Sequence, residues 1–180
     1  MKKLVGVFVC LAVVGFGWSA AQAAGAQVQK ASGAAMGCYS PREAEAEQGI
    51  RIHSELMVIG LNCSFMKDSK GNNLYAEHRK FTAKYADLFA AYEKILMSYM
   101  ARNGDKNPES SLNTLRTSFA NKISTDAAHM RPDIFCRQYA PRIEQVVKMD
   151  KMQLRKWAAT PFPGHPVSKP YCASAQGKQG

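Results

Sequence analysis

The sequence predicts an all-α protein, arranged as an up-down bundle of four main helices with a short C-terminal helix and two disulfides. Three observations favour this class. Apolar residues recur at steps of three and four, breaker residues separate these periodic segments, and no convincing run of alternating residues indicates a strand. The chain has 180 residues, of which 46% are hydrophobic and 21% charged, so it is long enough for one domain with a substantial core.

The first segment, residues 1–23, is predicted to be a cleavable signal peptide. A short positive start and an apolar stretch at residues 4–17 precede Ala21 and Ala23, which are small residues at the positions that signal peptidase reads. The apolar stretch is shorter than the ~20 residues that cross a bilayer, so we expect no transmembrane segment after cleavage. The expected location is the periplasm, with secretion beyond it as the alternative.

Three further segments follow from composition and periodicity. Residues 24–37 are small, polar and aperiodic, so a flexible N-terminal arm is expected. Residues 38–160 carry the helical periodicity and form the bundle domain. Residues 161–180 contain four prolines, which predicts an extended tail tied to the domain through Cys172.

The first helix of the bundle begins near Pro41, a residue suited to the first helical turn. Glu47, Arg51 and Glu55 follow at intervals of four, which predicts a charge ladder along one face. Residues 56–61 are apolar all round, so this part of the helix is expected to be central and buried. Three glutamates near the helix start complement its positive end: Glu43, Glu45 and Glu47.

The second helix is predicted as one long segment over residues 74–102, and Asn107 and Pro108 then begin a third helix. The seam of the second helix alternates steps of four and three, as in a packed bundle: Phe81, Tyr85, Leu88, Tyr92, Ile95 and Tyr99. The buried stripe of the third helix has the same helical spacing: Leu112, Leu115, Phe119 and Ile123.

A break at Pro132 introduces the fourth helix, which is expected to bend or stop at Pro141. Asp150 is a candidate cap for a short fifth helix that carries Leu154 and Trp157. The apolar positions of the fourth helix follow one another at helical spacing: Ile134, Phe135, Tyr139, Ile143, Val146 and Val147.

Cleavage of the predicted signal peptide removes Cys10, and the predicted topology selects the pairing of the four cysteines that remain, which are Cys38, Cys63, Cys136 and Cys172. Cys38 and Cys63 bracket the first helix and would lie about 30 Å apart at helical rise, whereas a disulfide requires about 6 Å between Cα atoms. In an up-down bundle, Cys63 ends the first helix at the pole where the fourth helix begins with Cys136. We therefore predict Cys63–Cys136 and Cys38–Cys172.

Three short stretches resemble a known group of proteins. Residues 55–63 read ELMVIGLNC, and Phe135-Cys136 and Tyr171-Cys172 follow far downstream. This pattern resembles small exported proteobacterial helical proteins of unassigned function, which have an ELMV-x-x-L-x-C helix and paired cysteines. The resemblance implies a helical periplasmic protein and transfers no catalytic residue.

Signatures of catalysis are absent from the sequence. It contains no G-x-S-x-G, H-E-x-x-H, P-loop or G-x-G-x-x-G motif. The closely spaced glutamates at the start of the first helix are far more typical of helix-dipole partners than of an acid–base pair. We therefore expect a non-enzymatic protein without a cofactor.

A basic C-terminal third is the main candidate for binding. Residues 131–180 carry nine Lys and Arg residues against three Asp and Glu residues, which favours an acidic protein or an anionic envelope component as partner. A merely solvated face is the alternative, and no nucleic-acid-binding signature accompanies the charge. The predicted surface comprises seven side chains: Arg137, Arg142, Lys148, Lys151, Arg155, Lys156 and Trp157.

The leading functional prediction is therefore a periplasmic interaction module. The alternative is a binder of a metal, copper in particular, or of a small ligand inside the bundle. Thioether and imidazole groups suit Cu(I), although methionine at helical spacing is more often core filler. The candidate ligands are Met97, Met100, Met149, Met152 and His129. The oligomeric state is left open.

Overall fold

The structure, a computed structural model, describes residues 37–68, 70–160, 162 and 164–173. These residues form helices and isolated bridges but no strand, so the all-α class is confirmed. The predicted signal peptide and residues 24–36 of the predicted arm lie outside the described residues. Seven helices occur in the described part of the chain: α1 (Pro41–Asn62), α2 (Leu74–Lys84), α3 (Ala86–Arg102), α4 (Pro108–His129), α5 (Pro132–Tyr139), α6 (Pro141–Val146) and α7 (Lys151–Ala159).

Helix α1 lies at the centre and packs against each of the other six helices. Its start is set by Ser40, whose hydroxyl accepts the Glu43 backbone N–H while the Glu43 carboxylate accepts the Ser40 N–H. This reciprocal capping box stabilises the first turn of α1, which begins at Pro41. The up-down order of the four main helices stays a prediction.

The prediction of one long second helix is wrong, because the chain bends at Tyr85. The backbone there has φ −115° and ψ 21°, which separates α2 from α3, and the Tyr85 hydroxyl donates to the Met149 carbonyl at 2.5 Å. Helix α2 packs on α1 and α6, whereas α3 packs on α1 and α4. The bend therefore lets α2 pack against α6 while α3 packs against α4.

The remaining helices begin where their capping residues predict. Asn107 accepts the Ser110 N–H at the start of α4, and Asp150 forms a capping box with Gln153 at the start of α7. Pro141 divides the fourth predicted helix into α5 and α6. No helix of the described chain is both long and apolar enough to cross a membrane.

The predicted all-round burial of residues 56–61 is wrong at two positions. Met57 is 39% exposed and Leu61 is 49% exposed, whereas Leu56, Val58 and Ile59 are buried. Met57 and Leu61 are four residues apart and share one face of α1. This face is left uncovered by the described elements, although the other faces of the same segment are buried.

Gly49 provides the closest approach of α1 to α3. A Cβ atom at this position would lie 2.3 Å from Tyr92 Cε2 and 2.5 Å from Tyr92 Cδ2, which is well inside van der Waals contact. We expect Gly49→Ala to lower the free energy of unfolding by about 1–3 kcal/mol, since overpacking outweighs the helix propensity of alanine. Urea unfolding followed by circular dichroism measures this change.

Gly60→Ala is the matched control, because its Cβ would lie 3.4 Å from His78 Cβ, the nearest atom outside its own helix, and this is ordinary contact. We expect this second variant to keep wild-type stability or to gain slightly. A Gly49→Ala protein as stable as the wild type would contradict the packing described at Tyr92.

Candidate functional site

The charge ladder of α1 is buried. Glu47 is 0% exposed, Arg51 7% and Glu55 6%. The Arg51 guanidinium lies 3.3 Å from Glu47 Oε1, and its central carbon lies 4.0 Å from the centre of the Phe119 ring. A ladder predicted to stabilise one helix locally is therefore part of the protein interior, where charges require partners.

Those partners come from residues 164–173, which we call the C-terminal strap. The Arg51 guanidinium donates to the Pro166 carbonyl at 2.8 Å, and Gln48 Nε2 donates to the His165 carbonyl at 2.7 Å. Ser168 donates both its backbone N–H, at 2.7 Å, and its hydroxyl to the Glu47 carboxylate. The strap thus supplies hydrogen-bond partners to the buried ladder from more than one hundred residues away in sequence.

The end of the strap is fixed by backbone pairing and by a disulfide. Tyr39 donates its N–H to the Pro170 carbonyl and accepts the Cys172 N–H, both at 2.8 Å. The Cys38–Cys172 bond has a Cα–Cα distance of 4.9 Å, and the Cys63–Cys136 bond has one of 5.5 Å. The structure therefore contains two disulfides, in the pairs that the sequence predicts.

A cavity of about 400 Å³ lies beside this ladder, lined by residues of α1, α6 and α7 together with Phe162 and His165. Its charged side is built around Glu55. Glu55 Oε1 lies 3.2 Å from His165 Nδ1, and Glu55 Oε2 lies 3.5 Å from Arg142 Nη1. Both oxygens of the Glu55 carboxylate are therefore engaged by cavity-lining side chains.

A second side of the cavity is apolar. The rings of Trp157 and Phe162 stand at 86° with their centres 6.5 Å apart, in the edge-to-face arrangement that aromatic pairs favour. Ile52 of α1 also lines the cavity and is itself buried. The cavity thus combines hydrogen-bonding groups with an aromatic and aliphatic wall.

Arg51, which lines the cavity, has one buried hydrogen-bond donor without a partner among the described residues. Arg51 Nε makes no hydrogen bond to any described residue, although it is shielded from solvent. The rest of the Arg51 guanidinium is bound to Glu47 and Pro166. A buried donor without an acceptor is unfavourable.

The predicted basic surface is largely neutralised within the protein. Arg142 and Trp157 line the cavity, and Lys148 and Lys156 make no ion pair to a described residue. The other three cations are held by carboxylates: Arg155 to Glu45 at 2.7 Å, Lys151 to Asp87 at 2.5 Å and Arg137 to Asp133 at 3.6 Å.

The ion pair between Glu45 and Arg155 shows how one of these cations is bound within the protein. Burial acts to raise the pKa of the Glu45 carboxyl, but hydrogen bonds from Arg155 and Tyr92 outweigh it and the pKa is lowered. Glu45 and Arg155 therefore remain an ion pair across α1 and α7, and Arg155 serves the fold rather than a free basic surface.

Met97 and Met100 lie on α3, Met149 directly precedes the cap of α7 and Met152 lies on α7, and metal binding by these methionines stays a prediction. Met152 is 70% exposed, and His129 is exposed at the end of α4. Among the described residues, no group of three or more His, Cys, Asp or Glu side chains is placed to hold a metal.

The sequence does not predict the pairing of His53, which is half-buried, with His78, which is buried. His53 Nε2 and His78 Nε2 lie 3.2 Å and 3.4 Å from the same Thr82 hydroxyl, and the two rings stack with centres 5.8 Å apart. Burial, together with the charges of His78 and Arg116, lowers the pKa of His53 to about 4. Burial lowers the pKa of His78 as well.

This shift predicts a loss of stability in acid. The His53 pKa is about 4 in the folded protein and 6.5 as the ordinary value, so the unfolded chain binds more protons between these two values. Stability therefore falls as the pH is lowered from 6.5 to 4, by roughly 3 kcal/mol from His53 alone. Urea unfolding at pH 7 and pH 4 should show that His53→Gln loses less stability than the wild type.

His129→Gln controls for the loss of an exposed histidine. We expect this variant to lose as much stability in acid as the wild-type protein. The same acid-induced loss in His53→Gln and the wild type would refute the assignment of this effect to the buried imidazole.

Comparison with known proteins finds no matching family model, and no curated protein or solved structure matches the chain. The resemblance to small exported proteobacterial proteins stays a prediction.

Proposed function

We propose that this protein is a non-enzymatic binding protein that takes a small organic ligand into the cavity beside the α1 ladder. The observation that carries the proposal is the make-up of the cavity itself, which has Glu55, Arg142 and His165 on one side and the Trp157 and Phe162 rings on the other. Ligand sites of proteins are typically concave, mostly apolar and supplied with a few fixed polar groups. The volume of about 400 Å³ fits a small molecule.

The rigidity of the cavity walls supports the same function. Glu55, Arg142 and His165 hold one another, and the strap is fixed by the Cys38–Cys172 bond. A preformed site loses less conformational entropy when it binds. Two disulfides are typical of an oxidising compartment, so we place this binding function in the periplasm of an exported protein.

A variant that obstructs the cavity tests this function. Gln145 lines the cavity and is exposed on α6, so Gln145→Trp should fill the mouth without changing the core. Gln138→Trp, at an exposed position of α5, is the matched control. Each protein is incubated with a small-molecule filtrate of cell extract and analysed by native mass spectrometry.

We expect a bound mass at one per chain on the wild type and on Gln138→Trp, and its loss on Gln145→Trp. Equal uptake by all three proteins would place binding outside the cavity and refute the proposal. The absence of any such mass on the wild-type protein would refute it equally.

A second candidate function is the predicted interaction with an anionic envelope component. Lys148 and Lys156 favour it, because neither makes an ion pair with a described residue. Vesicles of phosphatidylglycerol test this surface directly. Salt-sensitive binding that disappears in the Lys148→Glu/Lys156→Glu variant would support it, and equal binding by the variant would exclude it.

A further inference from the structure

The cavity offers hydrogen-bond donors but lacks a free carboxylate acceptor. Both oxygens of Glu55 are taken by His165 and Arg142, and Glu47 is taken by Arg51 and Ser168. A ligand that brings its own acceptors is therefore favoured. Ammonium compounds are disfavoured, because they bring donors and a positive charge towards the two guanidinium groups.

Arg142 is the donor best placed to meet such a ligand. Its guanidinium has five N–H donors, makes one long contact of 3.5 Å with Glu55 and is 37% exposed. Its central carbon lies 4.8 Å from the centre of the Tyr139 ring, which restricts the orientation of the guanidinium. A fixed guanidinium with unused N–H groups binds a carboxylate through two parallel hydrogen bonds.

The charge balance admits one further negative charge. The cavity lining contains two guanidinium groups, Arg51 and Arg142, and one carboxylate, Glu55, so its arginines outnumber its carboxylates by one. An entering monoanion therefore meets no net negative charge, and the formal net charge of +10 on the whole chain favours its approach. A dianion such as a phosphate monoester would find only one partly exposed guanidinium.

The apolar wall determines the rest of the ligand. Trp157, Phe162 and Ile52 line the cavity with Arg142, so the side of the ligand away from the carboxylate meets aromatic and aliphatic carbon. Burial of such a group is favourable by about 25 cal/mol for each Å² removed from water. A purely polar acid would leave this wall unfilled.

We infer that the ligand is a small monocarboxylate with an apolar portion, whose carboxylate is bound by Arg142 and whose apolar portion packs on Trp157 and Phe162. This inference rests on the proposed function and names the ligand class of the same cavity. Arg142 is its specificity-determining residue, since it distinguishes a carboxylate from the corresponding neutral amide.

A matched pair of probes, 3-phenylpropionate and 3-phenylpropionamide, tests the ligand class by isothermal titration calorimetry. The two differ in charge but not in their apolar part. We expect the acid to bind more tightly than the amide to the wild type, and Arg142→Gln to weaken the acid about 10- to 100-fold while leaving the amide little changed. Arg142→Lys keeps the charge but not the paired donors, so it should weaken the acid to an intermediate extent.

Arg137→Gln is the control, because Arg137 lies on α5 and pairs with Asp133 outside the cavity. It should bind the acid as the wild type does. Circular dichroism of each variant separates a lost contact from a lost fold; if Arg142→Gln fails to fold, the Arg142→Lys comparison decides.

The results separate the ligand class from the proposed function. Equal affinity for acid and amide, or an acid affinity insensitive to Arg142, would overturn the carboxylate class. Failure of both probes, with a bound mass still lost in Gln145→Trp, would also overturn the class but keep the binding function. Failure of both probes and no bound mass would overturn both.

Discussion

Replacing Glu47 with alanine is expected to lower the free energy of unfolding by about 3–5 kcal/mol, because it leaves a buried charge on Arg51 without its carboxylate partner. Glu47 is fully buried and also accepts the Ser168 N–H and hydroxyl. The change thus breaks the attachment of the strap as well as the ion pair. Urea unfolding with the disulfides intact gives the magnitude.

Two comparison variants test whether the loss of stability in Glu47→Ala comes from the buried ion pair. Glu77→Ala removes a partner of the exposed Lys80, and surface pairs contribute little, so no measurable change is expected. The Glu47→Leu/Arg51→Met protein removes both buried charges together and should be more stable than Glu47→Ala. A Glu47→Ala protein with wild-type stability would show that the ladder is not a buried, strap-bound pair.

Removing the Cys38–Cys172 bond by serine substitution is expected to have an effect of similar size. This bond joins residues 134 apart, and the chain-entropy model assigns about 4–5 kcal/mol to a loop of that length. The strap should also separate more often from α1. Hydrogen exchange of the Cys172 amide, which is bound to the Tyr39 carbonyl, should therefore become faster under native conditions.

Serine substitution of Cys63 and Cys136 separates the two effects. That bond is fully buried and joins residues 73 apart, so its loss should also lower global stability by about 4 kcal/mol. It touches no residue of the strap, and exchange at Cys172 should stay slow wherever the protein remains folded. Equal acceleration at Cys172 in both double variants would argue against a strap held by its own disulfide.

Features set by nearby residues could be predicted from the sequence. The starts of α4 and α7 follow from Asn107 and Asp150, and the division between α5 and α6 follows from Pro141. The disulfide pairs could be predicted in two steps: the length of the first helix excludes Cys38–Cys63, and an up-down order then brings Cys63 to the pole where the fourth helix begins with Cys136. The bend at Tyr85 was missed, since no proline or glycine marks it and it depends on the packing of α2 and α3 against different helices.

The site could be predicted only in fragments. The spacing of Glu47, Arg51 and Glu55 is the same for an exposed ladder as for a buried one, and its burial depends on a strap more than one hundred residues away. Arg142 and Trp157 were singled out for their chemistry, but as part of a surface. No local pattern indicates that Glu55 and His165 meet them in a cavity.

The most direct test of a ligand cavity beneath the strap is a nuclear magnetic resonance titration of the ¹⁵N-labelled protein with 3-phenylpropionate. Of the two tryptophans, Trp18 lies in the predicted signal peptide, so the single indole N–H signal of the cleaved protein belongs to Trp157. We predict saturable shifts of this signal and of the backbone amides of Gln145 and His165, all absent in Gln145→Trp. An unshifted Trp157 indole, or shifts confined to the region of Lys148 and Lys156, would contradict the cavity as the binding site.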